Sequence, residues 1–296
     1  MTTRAKEGRL LTARRGSLAR TAEIWRYREL LVGLVRKELK VKYKNSALGF
    51  VWSMLNPALT LVVFYLVFQI VLPNGIPFFA IYLLSGVLVW NLLTASLPAA
   101  TASVVANASL VKKVAFPREI LPLASIGAGL VHFFLQAMVL IAALLVFRYD
   151  VGFAYVPLLP VALVVLLLFL SSLGILLAAI NVYMRDTQHF VELALLAWFW
   201  GTPIVYQYRL ISDRLDHDWL IFLNPITAVT VTFQRAIYNK VETVGKDGNV
   251  INILPDGVGL GWYLTRLGAV AGASIVLLVI AMHVFGRLEG NFAEEL

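Results

Sequence analysis

Cysteine is absent from the 296 residues, which excludes disulfides, a thiol nucleophile and any metal site with cysteine ligands. The outer loops lack it too, so this absence leaves the redox compartment open. Charge is scarce: Asp, Glu, Lys and Arg make up 14% of the chain, about half the share of an ordinary soluble domain. No polar insert is large enough to fold alone, so there is no room for a separate catalytic domain. Recognisable chemistry is missing as well. The nearest approach to a phosphate-binding loop, Gly245-Lys246-Asp247, lacks the first glycine and the Ser/Thr of that motif. No HExxH, zinc spacing or nucleophile elbow occurs, and Asp213, Asp216 and Asp218 read as a solvated turn rather than a glycosidase pair.

What is present is hydrocarbon. Hydrophobic residues make up 60% of the chain, and segments at 50–72, 78–105, 120–147, 157–181, 188–207 and 263–285 each approach the ~20 apolar residues that span a bilayer. Lipid offers the backbone no hydrogen bonds, so these segments are expected to be helices. The fold class is an all-α membrane protein with six spans. Three regions follow: a basic disordered tail at 1–22, an amphipathic interface helix at 23–46 and a transmembrane domain at 47–296.

The formal charge of +8 is distributed for a membrane rather than for nucleic acid. Residues 1–49 carry 13 Lys/Arg against four acids. With the N-terminus inside, the inner side holds 18 of the 25 Lys/Arg: the arm, Lys112, Lys113, Arg118, Arg185 and Arg287. The Pro73–Pro77 turn on the other side holds none, as the positive-inside bias requires. Residues 1–20, rich in Arg, Ser and Thr, also fit an organellar presequence. Ile24, Tyr27, Leu31 and Leu34/Val35 recur at helical spacing opposite Arg36, Lys40 and Lys44, the pattern of a helix with its apolar side in the lipid boundary. Past Leu39 the alternation equally fits an extended segment.

The apolar stretch from Trp219 to Tyr238 is broken by Asn224-Pro225 and carries Gln234 and Arg235. It reads as two short helices forming a hairpin at 217–239 that dips back from the outer surface, with a seventh span as the alternative. Residues 241–257 then read as an exposed outer loop. Gly268 and Gly272 form a single small-xxx-small match on the last span.

Several residues stand out as candidates for function. Ser125, Gly129, His132 and Gln136 line one face of the third span; this stripe serves either helix packing or, through His132, a proton relay. Phe64, Tyr65, Phe68, Gln69, Trp90, Trp198, Trp200 and Tyr206 are either interfacial belt residues or a path of flat rings on which sugar faces slide. Trp198, Phe199 and Trp200 cannot all point one way at about 100° per residue. Residues 107–119 form a short basic inner loop, either a positive-inside anchor or a surface that receives a push from a docked motor. A transferase acting on a lipid-linked sugar needs a carboxylate or His cluster at one membrane face, and a proton-coupled flippase needs intramembrane acids or an internal repeat. The chain offers neither convincingly.

Seven stretches, in order, carry a family likeness: Asn56-Pro57 with its aromatic span, Tyr82 to Asn91, Asn107 to Pro122, Asn181 to His189, Thr202-Pro203 to Tyr206, Leu223 to Thr227, and Phe285 to Ala293. The chain resembles the permease subunits of ABC transporters that export lipid-linked polysaccharides, the O-antigen and teichoic acid class. The resemblance implies a homodimer in the bacterial plasma membrane with both termini cytoplasmic. It implies two copies of a P-loop nucleotide-binding subunit that hold ATP and Mg, this chain having no cofactor or metal of its own. Lys112, Lys113, Phe116, Pro117, Arg118 and Glu119 would lie in or beside the coupling element and Arg185-Asp186 in the second inner turn. Asn224 and Pro225 would mark outer re-entrant gate helices, and aromatic rings would line the glycan's path. O-antigen, teichoic acid and an actinobacterial galactan all fit as cargo.

Overall fold

The structure, a computed structural model, describes residues 24–44, 49, 51–71, 76–151, 153–208, 218–244 and 250–296. The basic tail at 1–22, most of the Pro73–Pro77 turn, Asp213, Asp216 and Gly245-Lys246-Asp247 lie outside the described residues, as does the side chain of Gln69.

The described elements begin with helix α1 (Arg28–Lys42), then α2 (Val51–Tyr65) prolonged by a π-helical turn at Leu66–Val71, and α3 (Phe79–Ala106). Next come the short α4 (Ala108–Lys113), α5 (Ile120–Val146), α6 (Leu158–Tyr183) and α7 (Thr187–Trp200). A 3-10 turn at Asp218–Leu223 leads to α8 (Pro225–Ile237), and strands β1 (Glu242–Val244) and β2 (Val250–Asn252) precede α9 (Leu260–Leu288). A second 3-10 turn, Glu289–Asn291, and α10 (Phe292–Glu295) close the chain.

Among the described residues four helices are long and apolar enough to cross a membrane: α3, α5, α6 and the run that begins with α9. The first and fifth apolar segments of the sequence are shorter helices. Helix α2 has 15 residues before its six-residue π-helical prolongation, and α7, with 14 residues, rises about 21 Å against a hydrocarbon core of about 30 Å. Beyond α7, Gly201 sits at the C-cap and Pro203 cannot continue the helix, so the apolar run bends where hydropathy alone sees continuity.

Helix α3 is the axis of the bundle. Nineteen of its 28 residues are buried, and it is apolar on every face, the pattern of an interior helix. It is flanked by α2, α5, α6, α7 and α8, while α9 packs most extensively on α6. Several helix contacts depend on glycine, among them those of α5 and α6 with α3. A Cβ at Gly129 of α5 would fall 2.0 Å from the Ser96 hydroxyl oxygen of α3, and one at Gly174 of α6 would fall 3.1 Å from Ala100. By contrast, Gly268 and Gly272 of α9 are exposed with open space at both Cβ positions, so within the protomer they mediate no helix contact.

Helix α1 continues to Lys42, which resolves the ambiguity past Leu39; Lys40 and Lys42 occupy its last turn, where cations complement the helix dipole. Its apolar face packs on protein. Leu34 is buried, and Ile24, Tyr27, Leu31 and Val35 pack on a second core built from Val111, Ile120, Leu121, Phe285 and Phe292. The reason is that α5 offers this face small and polar side chains to pack and bond with, which lipid does not.

The segment at 241–257 is not wholly an exposed loop. β1 and β2 pair antiparallel with Thr243 opposite Ile251, and Ile253 and Leu254 insert into the main core. Replacing Gly129 by Leu is expected to lower the thermal unfolding temperature of the purified protein, at a cost of about 1–3 kcal/mol for overpacking. Gly268→Leu, in open space, leaves protomer stability unchanged.

Candidate functional site

Three places collect the candidate residues. The first is the end of the bundle at α4. Lys112 and Lys113 are exposed in its last turn while Val111 is buried beneath them. Asn107, which precedes α4, accepts a hydrogen bond from Lys37 Nζ at 2.8 Å, so this element is tied to α1. Phe116 is half-buried on the second core, Pro117 ends the extended stretch before α5, and Glu119 is buried at the N-cap position of α5. Arg118 donates to the Glu289 carbonyl oxygen and rests over the Phe292 ring at 5.8 Å, fastening the same loop to the C-terminal turn. Tyr183 adds a bond from its hydroxyl to the Leu288 carbonyl at 2.9 Å. Arg185 and Asp186 are exposed in the turn before α7. Glu192, one turn into α7, is also exposed, 4.0 Å from His189.

The second place is the polar stripe of α5, where the hydrogen bonds run between helices. Ser125 donates to Glu38 Oε1 of α1 at 2.8 Å, and Tyr43, just past α1, meets His132 Nδ1 at 2.9 Å. Asn91 of α3 donates to Gln136 Oε1 at 2.9 Å, and Gly129 lets α3 approach between them. The stripe thus joins the arm to α3 through α5. Burial raises the Glu38 carboxyl above the ordinary carboxylate range, against the opposing effects of the Ser125 hydrogen bond and the Lys37 charge.

The third place is a knot at Asn224. This residue caps α8, its Oδ1 accepting from Ile226 N at 3.0 Å with Pro225 at the first helical position, an arrangement that helix starts favour. The same Oδ1 accepts from Trp198 Nε1 at 2.8 Å, and Nδ2 donates to the Gly201 carbonyl at 3.0 Å and the Thr202 hydroxyl at 2.9 Å. One side chain therefore holds the end of α7 against the start of α8. At 13 residues α8 rises about 20 Å, too short to cross a bilayer alone. Its Gln234 is fully buried and donates to the Pro203 carbonyl at 3.1 Å.

The aromatic candidates divide between interior and surface. Trp90 is 8% exposed and packs edge-on against Phe199 at 5.3 Å. Trp198 turns to Asn224 and to Phe169, whereas Trp200 is 68% exposed. Tyr206 is half-buried and donates to the Trp200 carbonyl at 2.8 Å. Phe64 stacks on Phe68, which meets Phe79 at 4.8 Å, and the exposed Tyr65 stacks on Phe147 at 5.7 Å.

Sequence reasoning passed over a cluster near the start of α3. Tyr238 stacks on Tyr149, meets Tyr82 edge-on at 5.4 Å and donates to the Pro77 carbonyl at 2.8 Å. Lys240 Nζ lies 5.1 Å above the Phe78 ring and 5.6 Å above Tyr149. Phe78 holds φ at +52°, a left-handed conformation that a Cβ makes costly and that the surrounding rings hold in place. Tyr238 and Pro77 lie 161 positions apart, so no local pattern announces the cluster.

Residues 29–238 match the family described as ABC-2 type transporter. The chain is 32% identical over 281 residues to the O-antigen export system permease protein RfbA of Myxococcus xanthus, an alignment covering 93% of this chain and 98% of that protein. Two proteins of the same description from Klebsiella pneumoniae are 28% and 29% identical over 266 residues, each covering 90% of this chain and 94% of the relative.

Two measurements test the geometry. Asn224→Ala is expected to lower stability by about 0.5–2 kcal/mol through loss of the cap, read as a drop in the thermal unfolding midpoint. For Glu38 the folded-state pKa is raised, so its contribution is fully present in acid and is lost as pH rises through the folded value. Glu38→Gln keeps an acceptor for Ser125 and removes this slope. The variant is therefore the more stable at neutral pH and matches wild type in acid, as thermal unfolding across a pH series would reveal.

Proposed function

The chain belongs to the ABC-2 type transporter family and is the permease subunit of an ABC exporter, and from that premise we propose that its cargo is a lipid-linked polysaccharide. The observation that carries this reading is the near full-length similarity to O-antigen export permeases. Two copies form the passage in a bacterial plasma membrane, with both termini cytoplasmic. A P-loop nucleotide-binding subunit docks under each copy and hydrolyses ATP with Mg. Six membrane segments are counted when α2 with its π turn and α7 join the four long helices, and the Asp218–Leu223 turn and α8 form the outer re-entrant hairpin. O-antigen heads the cargo candidates, with teichoic acid and galactan sharing the same chemistry of a polymer on a lipid carrier.

The geometry supports a mechanical role for α4. A push on the exposed Lys112 and Lys113 reaches α1 through Lys37 and Asn107, and the C-terminal turn through Arg118 and Glu289. From α1 it passes to α5 and then α3 through the Glu38–Ser125, Tyr43–His132 and Asn91–Gln136 contacts. The exposed Arg185 and Asp186 give the motor a second foothold at the start of α7, and Asn224 hands any movement at the far end of α7 to α8. In this mechanism the first and fifth segments separate, and exposed rings such as Tyr65 and Trp200 guide the glycan by stacking, a contact of low directional cost.

Depleting the protein is expected to accumulate full-length polymer on its lipid carrier inside the cell. Shortened polymer would overturn the export reading in favour of a transferase. In the reconstituted transporter, replacing both Lys112 and Lys113 by Ala is expected to uncouple ATP hydrolysis from export while leaving the thermal unfolding midpoint unchanged, because both side chains are exposed.

A further inference from the structure

Arg266 lies about two turns into α9, and its guanidinium sits 3.9 Å from the Trp262 ring centroid and 5.1 Å from that of Phe222. Its one hydrogen bond is a long contact from Nη1 to the Thr265 hydroxyl at 3.4 Å; Nε is buried without a partner, and no carboxylate among the described residues pairs with it. An apolar groove of about 250 Å³ lies between α6, α9 and the start of α8, lined by Phe169, Phe222, Leu223, Pro225, Val270 and Leu277. Phe222 belongs to both features: its ring meets the cation and it lines the groove.

We propose that this is a binding site for one anionic glycerophospholipid of the outer leaflet, with its phosphate on Arg266 and an acyl chain in the groove. Three observations select this occupant. The unpaired cation asks for an anion, and aromatic faces leave its N–H edge available to phosphate oxygens. Apart from Ser274 the groove is lined by apolar residues, so it suits a hydrocarbon chain and leaves a sugar's hydroxyls without partners. From Arg266 to Leu277 α9 rises about 16 Å, the depth of one leaflet of a hydrocarbon core about 30 Å thick. That length matches an acyl chain and falls far short of a polyprenyl carrier. A lipid seated there presses on Phe222 and Pro225 and so steadies the start of α8, beside the Asn224 knot.

The outer placement rests on the orientation proposed above, but the readout is lipid retention rather than export, so failure of the cargo reading leaves this inference standing. The full-length protein is purified with phosphatidylglycerol or phosphatidylcholine of equal chain length, and retained lipid is measured by native mass spectrometry. Wild type is expected to retain phosphatidylglycerol preferentially. Arg266→Gln lowers that retention about fivefold, Arg266→Lys restores most of it, and Ala273→Leu, which fills the groove, lowers retention of both lipids. Phosphatidylcholine retention by Arg266→Gln reports that the variant is folded. Equal retention of the two lipids by wild type, or undiminished phosphatidylglycerol on Arg266→Gln, overturns the site. Displacement of phosphatidylglycerol by equimolar polyprenyl phosphate also overturns it, assigning the groove to the carrier lipid instead.

Discussion

Burial of helix α3 is the constraint around which the bundle is arranged. Its polar side chains Ser85, Ser96, Thr101 and Ser103 are all buried inside protein, since such groups are costly against lipid. Helices α2, α5, α6, α7 and α8 surround it. Because hydrocarbon is no worse a solvent for leucine than another helix is, close packing has to come from small side chains that let backbones approach. Gly129 against Ser96 and Gly174 against Ala100 are two such places.

Polar groups follow the same economy. A serine, a histidine and a glutamine on one face of α5 are costly against lipid, and each finds a partner on another helix. Two of those partners, Glu38 and Tyr43, come from the N-terminal arm, and this makes the arm part of the bundle. The basic end at α4, the arm, α5 and α3 are thereby joined by side-chain bonds. On the reading proposed above, this is the connection through which force at one membrane face would reach the interior.

Legibility in the sequence varied with how local the deciding physics was. The break at Asn224-Pro225 was readable because a capping amide followed by proline specifies a helix start without help from elsewhere. The stripe at Ser125, Gly129, His132 and Gln136 was readable as a face, but not its partners, since Glu38 and Asn91 lie 87 and 45 residues away. Trp90 and Trp198 had the composition of path-lining rings, yet their orientation depended on Phe199 and Asn224. Ile253 and Leu254 looked like loop residues because the short run Val250-Ile-Asn-Ile-Leu254, set between turn signals, is too brief to mark insertion into a core.

Hydropathy, charge distribution and motif order were enough to establish a multi-pass membrane chain and its likeness to polysaccharide export permeases, because lipid solvation acts on each segment independently of its neighbours. Helix ends, which rings face inward, the docking of the arm and the meeting of Arg266 with an apolar groove were decided only by tertiary structure. Those features depend on distances between residues far apart in the chain, and packing sets such distances only once every helix has its neighbours.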